Sequence, residues 1–261
     1  MSRLTKAIQS RVEVGETAFI PYIMAGDGGL DALKDQLLFL QDSGATAVEL
    51  GIPFSDPVAD GPVIQAAGLR SLAHGTTLRD VLEAVKALKN DITLPLVVMT
   101  YFNPILQLGL DTFANLAKEA RVAGVIVPDL PLEESEILSG VLEPAGIDLV
   151  QLVSLTSPRE RVERIAKASQ GFVYAVTVNG ITGTRQSLPE ETFKHLAALK
   201  SVSPVPVMAG FGISTPEHVQ QLSEVVDGVI VGSFVVDALH RGDRDAILPL
   251  LDAARSVRAE V

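Results

Sequence analysis

The sequence predicts an α/β protein: a single-domain (β/α)8 (TIM) barrel over residues 1–261 with an extra N-terminal helix. Three observations predict it. Eight short apolar runs alternate with longer stretches of helical period, which is the pattern of repeated βα units. Each run is nearly continuous in apolar character, as strands covered on both faces are, so a parallel sheet is favoured over hairpins. The length, 261 residues, is what one such barrel needs. A doubly wound open sheet fits the same periodicity, but eight units in a chain of this length favour closure.

The elements follow in order. The opening segment, MSRLTKAIQSRVEVGE, reads as an amphipathic helix and lacks a signal-peptide core. The strand runs are Phe19–Met24, Thr46–Leu50, Leu94–Met99, Gly124–Val127, Asp148–Val153, Phe172–Val176, Val205–Ala209 and Gly228–Val231. Between them, helical period marks Leu30–Asp42, Thr77–Asn90, Asp111–Arg121, Glu133–Glu143, Pro158–Ser169, Pro189–Lys200 and Pro216–Val225. Ser157-Pro158, Leu188-Pro189 and Thr215-Pro216 put proline at or near a first helical turn, where its missing N–H costs nothing. No composition break marks a linker, and there is no low-complexity tract.

Composition narrows the function classes. The net charge of −11 argues against nucleic acid or an anionic membrane as partner, because either needs a basic face. It does not oppose a small anionic ligand, which backbone N–H groups can hold. Zero cysteines exclude disulfides, thiolate metal sites and a cysteine nucleophile. No apolar run approaches the length of a membrane span. A cytoplasmic protein is expected.

In a barrel the site lies where the strands end and the βα loops gather. The second run, TAVELG (46–51), is the unusual one. With period 2, Ala47 and Glu49 share one face and Val48 and Leu50 the other. The small-residue face is the expected interior, so Glu49 points inward near the top of the barrel. Desolvation there raises a carboxyl pKa toward the range of a general acid at neutral pH; a structural hydrogen bond is the competing role. The loop that follows, IPFSDPVADGP (52–62), is too rich in proline for helix or strand and can hold Asp60 beside Glu49 as an acid/base pair. Asp56 fits a turn before proline equally well, and Asp27 and Asp129 fit loop or helix capping.

Glycine turns fall after the last three strand runs: NGITGTR (179–185), GFGIS (210–214) and VGSF (231–234). Loops after the seventh and eighth strands of a barrel commonly bind phosphate. Gly212, Gly232 and Ser233 are therefore the candidate cradle, with Gly183 completing it. The eight lysines all fall in or beside helix patterns, which disfavours a Schiff base. The four histidines form no metal-ligand spacing, and no dinucleotide fingerprint or P-loop occurs. Cofactor-free carboxylate chemistry on a phosphorylated small molecule remains.

The stretch ELGIPFSDPVADGP (49–62) resembles the signature of the tryptophan synthase α subunit family. The likeness continues in family order through FIPYIMAGD (19–27), MTYFNP (99–104), VPDLPLEE (127–134), GITGTR (180–185) and GFGIS (210–214). It implies a barrel lyase that cleaves indole-3-glycerol phosphate by a retro-aldol reaction to indole and glyceraldehyde 3-phosphate. Glu49 then matches the acid/base that protonates indole C3, and Asp60 the carboxylate that accepts the indole N–H. The same likeness puts Tyr22, Met99, Val127 and Ile230 in the indole pocket and Tyr174 near the substrate. Thr182 and Gly183 fall on a loop that closes over the site, Thr182 positioned to bond Asp60, with Gly212, Gly232 and Ser233 at the phosphate. The pocket residues could equally be plain barrel core. The resemblance also implies an α2β2 complex with a β subunit that holds pyridoxal phosphate and receives the indole by channelling. This chain itself is expected to carry no cofactor and no metal. Pro53, Phe54, Asp56 and Pro57 are the expected interface with that partner. A stand-alone lyase releasing free indole, a non-catalytic regulatory barrel and a sugar-phosphate isomerase are the alternatives.

Overall fold

A computed structural model describes residues 1–154, 156–176, 189–210 and 212–256. Eight parallel strands close into a barrel in the order β1 to β8, each paired with its sequence neighbours and β8 with β1. They are β1 (Ala18–Met24), β2 (Val48–Gly51), β3 (Leu96–Met99), β4 (Val122–Ile126), β5 (Asp148–Ser154), β6 (Val173–Val176), β7 (Val207–Gly210) and β8 (Gly228–Val231). All eight apolar runs thus hold a strand.

Helix α1 (Arg3–Val12) precedes the barrel, and Ser2 caps it by accepting the Thr5 N–H at 3.1 Å. The remaining helices are α2 (Leu33–Asp42), α3 (Pro62–Ala73), α4 (Leu78–Ala87), α5 (Phe102–Leu108), α6 (Leu110–Glu119), α7 (Glu136–Leu142), α8 (Arg159–Ala168), α9 (Glu190–Val202), α10 (Pro216–Ser223), α11 (Ser233–His240) and α12 (Leu248–Arg255). Helical period missed α3, α5, α11 and α12. The expected loop 52–62 also ends one residue early, because Pro62 is the first residue of α3, the position where a proline loses no hydrogen bond. The expected helices at 30 and 133 begin as 3-10 turns, Leu30–Ala32 and Leu132–Glu134.

The strands alternate as period 2 requires. Phe19, Val48, Leu50, Val125 and Val229 face the helices in one large apolar layer. Ala18, Ile20, Ala47, Val97, Ile126, Val150, Tyr174, Met208 and Ile230 fill the interior. Leu4 and Ile8 of α1, both fully buried, belong to that interior cluster and close the N-terminal end of the barrel. Burying two such side chains contributes about 3–6 kcal/mol by area. The open end is therefore the end to which Glu49 belongs. Among the described residues no helix is long and apolar enough to cross a membrane.

Candidate active site

Glu49 stands between Tyr22 on β1 and Val97 on β3, in register with both. Its side chain points inward, as the TAVELG alternation predicts, and only 1% of it is exposed. Neither carboxyl oxygen has a hydrogen-bond partner among the described residues. Burial, and then the nearby Asp60 charge, push its pKa up to about 8. A group in this state is a neutral acid at pH 7, with a proton to give and no protein acceptor holding it.

Asp60 lies on the loop between β2 and α3. That loop turns through Asp60 N–H to Pro57 C=O at 3.0 Å, and Gln65 of α3 donates its Nε2 to the Asp60 carbonyl at 2.8 Å. Partial burial raises the Asp60 carboxyl to about 6, opposed by a hydrogen bond from the Tyr101 hydroxyl. Asp60 therefore ionises below pH 7 while Glu49 does not. Two carboxyls with separated pKa values, one buried and one hydrogen-bonded, form an acid beside an anion.

Tyr101 is the residue that the sequence reading passed over. It stands at the N-cap of α5 and is 3% exposed. Its hydroxyl accepts the Ala59 N–H at 2.9 Å and donates to Asp60. Its ring stacks on Phe54, with centroids 5.1 Å apart. One side chain from the loop after β3 thus braces the loop after β2 at three points. The available signal was the tyrosine within MTYFNP, directly after a strand.

Tyr22 and Tyr174 are buried in the same space, and both hydroxyls are held protonated. Burial dominates in each case, and the charges of Glu49 and Asp60 add to it. Both rings lie over glycine: a Cβ at Gly51 would overlap the Tyr22 hydroxyl, and one at Gly210 would sit 2.5 Å from the Tyr174 hydroxyl. Those two glycines give the rings their room. Met99, half-buried, packs against both the interior cluster and the Tyr22, Met24, Ile64 and Val236 cluster. Ile230 is interior.

Val127 is a correction. It packs in the outer layer with Val125, whereas Ile126 directly before it faces the interior. With 126 inward, period 2 turns 127 outward.

Gly232 is the N-cap of α11, and a Cβ there would approach Tyr22 at 3.8 Å and Ile64 at 3.9 Å, so it borders the same chamber. Ser233, exposed, opens the helix. Gly212 is exposed with φ 70°. Gly232 and Ser233 put backbone N–H groups of a helix start beside the chamber, which suits an anion. Thr182 and Gly183 lie outside the described residues.

The other acidic residues have structural partners. Asp27 is not a cap: both its oxygens accept from Arg70, each at 2.7 Å. Asp129 accepts the Phe102 N–H at 2.9 Å and caps α5, as expected. Asp56 is exposed and takes the Ser55 hydroxyl at 2.5 Å. Beside it Val58 is 84% exposed, Pro57 and Phe54 are partly covered and Pro53 is buried. Among the described residues no group of three or more His, Cys, Asp or Glu is placed to hold a metal ion.

A family model described as tryptophan synthase alpha chain matches residues 8–257. The tryptophan synthase alpha chain of Listeria monocytogenes is 49% identical over 258 residues, covering 98% of this chain and all of that one. That of Bacillus cereus is 49% identical over 248 residues, covering 95% and 96%. Among solved structures, tryptophan synthase of Mycobacterium tuberculosis superposes with a TM-score of 0.89 at 35% identity, covering 97% of this chain and 98% of that one. The alpha subunit from Legionella pneumophila superposes with a TM-score of 0.88 at 36% identity, covering 99% and 98%.

Proposed function

This chain belongs to the tryptophan synthase alpha chain family, and from that premise we propose the roles of its residues in the family's cleavage of indole-3-glycerol phosphate, a carbon–carbon lyase reaction. Glu49 is the general acid. Its proton goes to indole C3, where the ring's π pair forms the new C3–H bond and leaves the ring positive. The bond from C3 to the glycerol carbon then breaks, and its electron pair returns to the ring to restore neutral indole. Asp60 accepts the indole N–H and stabilises the positive charge that forms on the ring. The Glu49 carboxylate left behind takes the proton of the adjacent glycerol hydroxyl, whose oxygen becomes the aldehyde carbonyl of glyceraldehyde 3-phosphate. Every atom and charge is accounted for without a metal or an organic cofactor.

The observation that carries this reading is the state of Glu49: buried, neutral at pH 7 and without a partner for either oxygen among the described residues. A structural carboxyl at that depth would be hydrogen-bonded. Tyr22, Met99, Tyr174 and Ile230 wall the ring site, and Gly212, Gly232 and Ser233 hold the phosphate with backbone N–H groups. Thr182 and Gly183 close over it. The whole of 1–261 acts as one domain in the cytoplasm.

The partner is a tryptophan synthase β subunit, to which the indole passes in an α2β2 complex; pyridoxal phosphate belongs to that subunit. The partner docks on the loop carrying Pro53, Phe54, Asp56 and Pro57, and reaches Asp60 through Phe54 and Tyr101. Glu49→Gln tests the assignment. Indole formation is expected to fall by about three orders of magnitude or more, with thermal unfolding still cooperative and phosphate-ligand binding retained. Indole production near the wild-type rate would overturn it. Turnover of the chain alone, compared with turnover after adding a β subunit, separates the subunit from a stand-alone lyase: a large rise marks the subunit.

A further inference from the structure

At the closed end of the barrel, away from Glu49, lies a hollow of about 460 Å³ lined by Arg3, Lys89, Asn90, Ile92, Thr93 and Arg121. Three of the six are cations and none is an anion, on a chain whose net charge is −11. The nearby carboxylates are engaged elsewhere: Asp91 pairs with Lys34 at 2.6 Å and Glu119 with Lys86 at 2.7 Å.

The two guanidinium groups are anchored by neutral oxygens alone. Arg3 donates to the carbonyls of Arg121 at 3.3 Å and of Thr93 and Leu94 at 3.0 Å each. Arg121 donates to the Lys89 carbonyl at 3.2 Å. These bonds fix where the heads sit without cancelling their charge. A guanidinium has five N–H donors, so Arg3 keeps two and Arg121 keeps four. Burial pulls the Arg3 pKa down, and the facing Arg121 charge adds to it. Arg121 also adopts φ 55°, the only left-handed non-glycine residue among those described. It stands just past the end of α6, where glycine is the unstrained choice.

We propose that this hollow is an anion site for a compact phosphate-type oxyanion, free or carried on a small metabolite. The pre-placed fork of Arg3 and the Arg121 and Lys89 heads supply charge-assisted donors from three different segments: α1, the turn after α4 and the turn after α6. A bound oxyanion would cross-link those segments at the base of the barrel. This site is separate from the phosphate cradle at Gly232 and does not depend on it.

Backbone amide NMR of the whole chain tests the proposal, with inorganic phosphate, pyrophosphate and a simple phosphate monoester as probes. Sodium chloride at matched ionic strength is the control. Saturable shifts are expected at Lys89, Thr93 and Arg121, separate from those at Gly232 and Ser233, with pyrophosphate binding more tightly than phosphate. Preference for the monoester over phosphate identifies a carried group; the reverse identifies the free ion. Arg121→Gly relieves the left-handed backbone and so folds, and Lys89→Gln changes an exposed side chain. Each is expected to weaken binding at the base roughly tenfold and to leave the Gly232 and Ser233 shifts in place. Shifts that chloride reproduces, absence of saturable shifts at Lys89, Thr93 and Arg121, or binding unchanged in both variants would overturn it and leave these side chains as carbonyl caps only.

Discussion

The state of Glu49 makes a quantitative prediction about stability. Its carboxyl titrates near 8 in the folded chain against an ordinary value of 4.5. Between those two pH values the folded chain holds a proton that the unfolded chain has released. Stability then falls as pH rises, by about 1.4 kcal/mol for each pH unit, and is level again above the folded pKa. The whole window is worth about 5 kcal/mol. Asp60 acts with the same sign from 3.8 to about 6, but it is partly exposed and solvent screens it. Glu49 therefore dominates the interval from pH 6 to 8, with an expected loss of about 2 kcal/mol because the slope flattens as pH nears the folded pKa. Glu49→Gln removes the titrating proton and should remove that part of the slope. The buried amide brings its own unmet hydrogen bonds, but their cost does not change with pH. Urea unfolding of both proteins at pH 6, 7 and 8 gives the two slopes. Parallel lines would show that Glu49 carries no proton across this range, and the acid role would fall with it.

Three further outcomes follow from the same geometry. The pH profile of kcat/KM should be a bell whose limbs, belonging to the pair rather than to either group, lie near 6 and 8; a profile flat from 5 to 9 would contradict the assignment. Tyr101→Phe removes the donor that holds Asp60 down and the acceptor of the Ala59 N–H. The acid limb should then move to higher pH with a stability loss of about 1 kcal/mol, and an unmoved limb would reduce Tyr101 to packing. Leu4→Ala opens a cavity at the base and should cost about 2–5 kcal/mol in urea unfolding, with kcat nearly unchanged in the molecules that remain folded.

The strands were legible because a parallel barrel buries both faces of each strand, and burial on both faces writes an uninterrupted apolar run. Glu49 was legible for the opposite reason: it breaks such a run on the face otherwise given to Ala47. Val127 was misplaced because the family likeness names a position while the pleat decides a direction, and β4 shifts register against β3 near Leu96. Helices α3 and α11 were hidden because each begins directly after the proline or glycine turn that serves the site. Tyr101 was invisible as a partner of Asp60 because 41 residues of sequence separate them, and only closure of the barrel sets β2 beside β3.

The helix beneath the barrel has a consequence for traffic. Leu4 fits so closely that a Cβ on Gly171 would meet it at 2.8 Å and one on Gly124 at 3.0 Å. With that cork in place the chamber is a flask whose neck lies at the loop end. Whatever forms beside Glu49 cannot leave through the base and must go by the end where the βα loops gather, the end at which Tyr101 braces the loop after β2. A protein seated over that neck decides both when the flask fills and who receives what pours out.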